Sequence, residues 1–277
     1  MDCIIPTAIS HIEQLKLNIK FIHMNLPIED IVVIGSENVR KELHGEQVRF
    51  LDENSLGKEL SLSGVRRLIE NKNGNVRRAG WYLQQFIKMQ YAFCTDEEYY
   101  LLWDADTIPI KEIKFFNEEK MLFNLKDERH LPYFSTISKL FRVPIQTMSR
   151  SFISEGMIIK NEIMKEMIDE IESNDQLFGK YFYEKILNAI TEKDLSRSGF
   201  SEFETYGNYL YTRYPELFQY RPLKTQRHGM FYYGKIPDVD ELKNSLYDTV
   251  SFEEYDTRKE RILRGIKQIC GYVKKFV

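Results

Sequence analysis

Residues 99–106 read Tyr-Tyr-Leu-Leu-Trp-Asp-Ala-Asp. An unbroken apolar and aromatic run that ends abruptly in two acids is the pattern of a buried strand reaching its polar end. In an extended chain, residues two apart share a face. Asp104 and Asp106 are therefore expected to project together, with Ala105 turned away. Open α/β sheets bind ligands just past the carboxyl ends of their strands. Two carboxylates at such a point suit Mn²⁺ or Mg²⁺, which keep water and take up substrate phosphates. The plainer alternative is a polar loop after a strand.

The flanking sequence predicts strands alternating with helices. Residues 3–5 (CII) form a short strand ending at Pro6-Thr7, and Ile9, Ile12, Leu15, Ile19 and Ile22 recur at helical spacing over residues 8–24. Residues 31–34 (IVVI) and 48–51 read as further strands. Strand, helix and strand at this pace predict βαβ units and a mostly parallel sheet. Residues 55–76 are polar and contain Gly57, Gly64 and Gly74, which reads as a connection with a short helix near Val65–Ile69. Residues 80–93 predict an amphipathic helix, residues 157–159 a short strand and residues 161–172 a helix. Trp81 and Tyr82 are expected in the core.

The 277 residues suit one large α/β domain, alone or with an extension. Apolar residues make up 43% and charged residues 29%, which supports a sizeable core in a water-compatible chain. A formal net charge of -3 argues against a basic nucleic-acid binder, so no nucleic-acid partner is expected. Cys3, Cys94 and Cys270 are far apart and form no C-x-x-C, so neither a disulfide framework nor a cysteine zinc site is expected. The N-terminus lacks a signal-peptide pattern, and no apolar run approaches the roughly 18 residues of a membrane span. A reducing, cytoplasmic setting follows as the expectation.

Residues 257–277 differ from the rest. Arg258, Lys259, Arg261, Arg264, Lys267, Lys274 and Lys275 accompany Ile262, Ile266, Ile269, Val273 and Phe276 at helical spacing. This predicts a basic amphipathic helix, suited either to peripheral contact with anionic lipid or to packing on the body of the chain.

Residues 99–113 (YYLLWDADTIPIKEI) resemble the strand and D-x-D of the GT-A glycosyltransferases. Residues 80–90 (GWYLQQFIKMQ), 101–107 (LLWDADT), 151–160 (SFISEGMIIK) and 200–210 (FSEFETYGNYL), in that order, are similar to a family of bacterial glycosyltransferases found with surface-polysaccharide genes. The resemblance covers roughly residues 1–235. It implies an α/β fold, a GT-A-like, Rossmann-type mixed sheet flanked by helices over 1–235, with the basic amphipathic helix in an extension over 236–277. It also implies a nucleotide-sugar donor and a glycan or lipid-linked saccharide acceptor; the basic tail, if it docks on anionic lipid, would keep the chain beside such an acceptor at the inner face of the membrane.

The same resemblance implies roles at matching positions. Pro6 and Thr7 lie where the first loop approaches the nucleotide. Gln84, Gln85 and Lys88 lie on a helix whose polar residues reach the donor, with Lys88 opposite phosphate. His228, in RHGMFYYGK (227–235), completes the metal site with Asp104 and Asp106, and Lys235 holds the diphosphate. Transfer with inversion needs a base, and Glu202 is favoured before Glu155. In a strand Glu202 and Glu204 would share a side; in a helix they would point apart. Asp238 and Asp240 form a second D-x-D in a polar stretch that reads as a loop.

Two other classes fit parts of the pattern. Residues 104–108 (DADTI) resemble the D-x-D-x-T of haloacid-dehalogenase-like phosphatases, but the fifth residue is Ile108 and the motif lies far from the start of the chain. A non-catalytic carbohydrate-binding or scaffold protein could retain the fold, and the acidic pairs argue against it. No G-x-x-x-x-G-K-[ST] or G-x-G-x-x-G is present.

Overall fold

The computed structural model describes residues 1–252 except Asn73, Lys235, Ile236 and Asp238. The N-terminal half lays down β1 (Asp2–Pro6), α1 (Ile12–Asn25), β2 (Ile31–Gly35), α2 (Glu37–Glu42), β3 (Arg49–Asp52), α3 (Leu62–Glu70), α4 (Ala79–Gln90) and β4 (Tyr99–Trp103). Short strands β5 (Thr107–Pro109), β6 (Phe116–Asn117) and β7 (Lys120–Phe123) follow, then α5 (Leu131–Leu140), β8 (Gly156–Lys160), α6 (Asn161–Ser173), α7 (Phe182–Ala189), α8 (Glu192–Leu195) and α9 (Glu202–Arg213). The described chain closes with β9 (Phe218–Tyr220), β10 (Thr225–Gln226), α10 (Gly229–Tyr233), α11 (Val239–Lys243) and β11 (Thr249–Ser251).

The central sheet has the order β3-β2-β1-β4-β8. Its first four strands run parallel, and β8 pairs antiparallel with β4, Trp103 opposite Gly156. The result is the expected α/β architecture, a mixed sheet flanked by helices. Strands covered on both faces read as continuous apolar runs. Ile4, Ile5, Val33, Leu101, Leu102, Ile158 and Ile159 are all fully buried. Each such side chain contributes about 1.5–3 kcal/mol of burial.

Chain order reverses between β1 and β4. From β1 the sheet grows one way through β2 and β3, and β4 lies on the other side. The carboxyl ends of β1 and β4 therefore flank the crevice at the switch point, where open α/β sheets bind ligands. Pro6 ends β1, and Asp104 immediately follows β4.

Several local expectations change. Asp104 and Asp106 stand on a turn between β4 and β5, not in a strand. The helix expected near Val65–Ile69 is present as α3, which starts on Ser61, whose hydroxyl accepts from the Gly64 amide; the rest of 55–76 is less open than expected, with Leu56 and Leu60 buried beside Val65 and Ile69. Helix α4 is enclosed nearly all round instead of amphipathic, so Gln85 and Lys88 lie inside with Tyr82 and Phe86.

The described part of the expected extension joins the body. β11 pairs antiparallel with β5, with Val250 opposite Ile108, and parallel with β10. Asp240 lies in α11 instead of a loop; Asp238 is outside the described residues, as is all of 257–277. Among the described residues no helix is long and apolar enough to cross a membrane.

Candidate functional site

The turn that carries Asp104 and Asp106 is fixed from several directions. Thr107 N donates to Asp104 O at 3.1 Å, closing the turn, and Trp103 Nε1 donates to Thr107 O at 2.7 Å. From α1, Asn18 Nδ2 donates to the same Thr107 carbonyl at 2.6 Å. Asp104 N donates to Glu155 O at 3.0 Å, and Phe252 N donates to Asp106 O at 2.8 Å. These backbone hydrogen bonds hold the turn that carries the two carboxylates in place. Ala105 is only 6% exposed, while both aspartates are half-buried, so the expected alternation survives on the turn.

A cleft of about 600 Å³ opens here at the switch point. Pro6 comes from β1, Trp81, Gln84, Gln85 and Lys88 from α4, Asp104, Ala105 and Asp106 from the turn, and Glu202 and Phe203 from α9. Gln84 Nε2 donates to Pro6 O at 3.3 Å, tying α4 to the end of β1. Trp81 is half-buried at the cleft wall with the Arg78 guanidinium 4.6 Å over its ring, so only Tyr82 of that pair is a core residue.

Lys88 lies at the centre. Its Nζ hydrogen-bonds Asp104 Oδ1 at 2.9 Å and stands 2.9 Å from Glu202 Oε1, with the Phe203 ring centroid 4.4 Å away. Lys88 is 2% exposed, so the ammonium expected opposite phosphate is instead clamped between two acids. Burial alone would lower its pKa; Asp104 and Glu202 outweigh that and hold it above the ordinary lysine value. Glu202, also 2% exposed, has its carboxyl raised by burial against the opposing pull of Lys88. The ion pair to Glu202 Oε1 lacks hydrogen-bonding alignment, and that oxygen has no hydrogen-bond partner among the described residues.

Helix α9 separates the two glutamates of the SEFE segment, as the helical alternative requires. Ser201 caps it, accepting from Glu204 N at 3.3 Å. Glu202 borders the cleft, whereas Glu204 accepts from Ser151 Oγ at 2.5 Å and Asn208 Nδ2 at 2.9 Å. Glu204 thus braces α9 against the segment leading into β8. Glu155 is likewise internal: it is 4% exposed, ion-paired with Lys126, and accepts from Thr225 Oγ1 at 3.0 Å. Its carboxylate does not line the cleft.

Thr7 lies apart from the cleft, its hydroxyl donating to Ile5 O at 3.2 Å. His228 does not line the cleft either; it precedes α10 with a left-handed backbone, φ 63°. Its neighbour Arg227 does, as do His11, Tyr133 and Ser251. Sequence reasoning missed these. The nearest signal was the basic pair Arg227-His228 itself, read one residue too late. Lys235 is outside the described residues. Among the described residues no three His, Cys, Asp or Glu side chains form a metal-holding group.

The chain shows low similarity to several solved structures. Mouse xyloside xylosyltransferase 1, in its apo form, aligns with TM-score 0.46 and 11% identity over 90% of this chain and 96% of that one. The galactosyltransferase LgtC in complex with donor and acceptor sugar analogs aligns with TM-score 0.43 and 11% identity over 96% and 95%. An active-site mutant of LgtC gives TM-score 0.42 and 12% identity over 93% and 89%. No curated protein matches the chain in sequence. Residues 21–259 match the model of a family of unknown function, and the chain belongs to that family, DUF6492.

Proposed function

We propose that this chain is a metal-dependent glycosyltransferase of the GT-A type, moving a sugar from a nucleoside-diphosphate donor to a hydroxyl of a glycan or lipid-linked acceptor. The setting proposed is bacterial surface-polysaccharide synthesis, such as capsule or O-antigen, at the cytoplasmic face of the membrane. One observation carries the reading. Pro6, Gln84, Gln85, Lys88, Asp104, Asp106 and Glu202, widely spaced in sequence, converge on one cleft at the switch point of the sheet.

The donor set fits a hard divalent cation. Asp104 and Asp106 both face the cleft, and the Lys88 hydrogen bond engages only Oδ1 of Asp104. Two carboxylates, water and substrate phosphate oxygens make a sufficient shell for Mg²⁺ or Mn²⁺. Such an ion, when bound, offsets charge on a departing diphosphate. Pro6 and Gln84 form the wall proposed for the nucleotide, and Arg227 adds positive charge on the cleft wall. Lys88 holds Asp104 through Oδ1 and aims its carboxylate. As the acceptor oxygen bonds to the sugar and the sugar–phosphate bond breaks, the acceptor proton passes to Glu202, whose carboxyl burial raises above the ordinary glutamate value and so makes a stronger base.

Release of nucleoside diphosphate from a panel of nucleotide sugars, with sugar acceptors and with or without Mn²⁺, tests the proposal. Mn²⁺-stimulated release from one donor is expected, with Glu202→Gln slowing turnover by roughly 10²-fold or more while donor KM changes little. Release from no donor under any condition contradicts it.

A further inference from the structure

A second cavity, of about 380 Å³, adjoins the cleft, and Arg227 lines both. Its size falls within the roughly 300–1,000 Å³ range of small-molecule sites. Lys126, Arg150, Lys224 and Arg227 face it against Asp127 and Glu128, and the buried Glu155 pairs with Lys126 from behind the wall, four cations to three carboxylates. The two signs differ in depth. The side chains of Asp127 and Glu128 are 93% and 79% exposed, whereas those of their partners Arg150 and Arg227 are 36% and 35% exposed. Ion pairs that open to solvent are weak and give way to a better-placed anion. The Arg150 guanidinium lies 4.9 Å over the Tyr220 ring, which orients its planar donors. The buried amide of Asn124 borders the same cavity, and its Nδ2 has no partner among the described residues.

The cavity is wired to the aspartate turn. Lys126 and Thr225, both in its wall, hold the Glu155 carboxylate, and the Glu155 carbonyl accepts the amide of Asp104 at 3.0 Å. A ligand seated against Lys126 and Arg227 therefore touches the supports of the donor cleft.

We infer that this cavity is the acceptor subsite and selects a sugar bearing a negative charge, carboxylate or phosphate. The inference rests on the glycosyltransferase reading. Arginine and lysine donors read such groups through charge-assisted hydrogen bonds, which a neutral sugar cannot form. The sugar's free hydroxyl faces the donor cleft past Arg227.

Calorimetric titration of the full chain with glucuronic acid, glucose 6-phosphate, glucose and inorganic phosphate provides the test. At least one charged sugar is expected to bind about tenfold more tightly than glucose and than inorganic phosphate. Whether the carboxylate or the phosphate sugar is preferred identifies the charged group. Lys224→Gln, at an exposed position that leaves the fold undisturbed, and Arg150→Gln are each expected to weaken that binding several-fold. Equal binding of glucose, equal binding of phosphate alone, or binding indifferent to Lys224→Gln overturns the assignment. Titration with nucleoside diphosphates and Mn²⁺ separates the two readings. Variant-sensitive binding of a sugar acid without any nucleotide binding would overturn the transferase reading and leave an anionic-sugar pocket standing.

Discussion

Lys88 Nζ stands 2.9 Å from Asp104 Oδ1, so a lysine on the helix before β4 holds the first acid of the D-x-D. The second carboxylate on that ammonium is Glu202 of α9, 2.9 Å away. The cleft is thus built around one buried cation that joins two segments 114 residues apart in the chain (88 to 202).

Removing that cation leaves two acids facing each other in a buried setting. Lys88→Met is expected to cost about 3–5 kcal/mol of stability, because an unpaired buried charge loses its compensation. Urea unfolding measures it. A cost below about 1 kcal/mol would show that the pair contributes no more than a surface ion pair.

Glu202 gives a signed pH dependence. Its folded-state pKa is raised, so folding favours the protonated form. Its contribution is fully present below the unfolded carboxylate value and is lost as pH rises through the raised folded value. The stability of the natural chain relative to Glu202→Gln should therefore decline as pH rises above the ordinary carboxylate range. Paired denaturant titrations over that window check it, and a difference that grows with pH has the wrong sign.

Gly156 and Gly80 form a contrasting pair. A methyl group at Gly156 would run into the Trp103 ring and come within 3.0 Å of Leu102 O, next to the Glu155–Asp104 hydrogen bond. Gly156→Ala is expected to destabilise by about 1–3 kcal/mol and to weaken donor binding. At Gly80 in α4 an added Cβ meets nothing within 4 Å, so Gly80→Ala should stabilise by about 0.5 kcal/mol. Thermal denaturation of both variants reads the two signs.

His228 holds φ 63°, a region costly for β-branched residues and free for glycine. His228→Val should therefore be about 1–2 kcal/mol less stable than His228→Gly, two variants that both lack the imidazole, as thermal denaturation of the pair would read. The glycine variant also isolates the imidazole: unchanged Mn²⁺ dependence would exclude His228 from the metal shell, and its loss would place it there.

For the segment 257–277 we propose peripheral contact with anionic lipid, from its charge and apolar spacing alone, the alternative being packing on the body of the chain. Deleting it should abolish sedimentation with vesicles containing anionic lipid and leave nucleotide binding intact. Vesicle binding that persists without the segment contradicts the assignment.

Much of the sheet was legible because burial on both faces writes itself as apolar runs. Residues 3–5, 31–34 and 99–103 all read as strands and lie in β1, β2 and β4. The small sheets were illegible because β10 spans Thr225–Gln226 and β11 Thr249–Ser251, too short to show a period. The helix read near Val65–Ile69 is α3, but the polar, glycine-bearing stretch around it hid its full span, Leu62–Glu70. At the site, Pro6, Gln85, Lys88 and Glu202, singled out through the resemblance, all line the cleft. Their partnerships were not legible: nothing in the local sequence says that Lys88 turns to two acids, or that Glu155 supports Asp104 through its backbone.

The most direct measurement is thermal stabilisation of the purified chain by nucleotide sugars, with and without Mn²⁺, in the natural sequence and in Asp104→Asn with Asp106→Asn. Ligands that bind the folded state raise its stability by mass action. The account predicts a Mn²⁺-dependent upward shift with one donor, abolished in the double variant. A shift that persists in the double variant, or none with any donor, would contradict it.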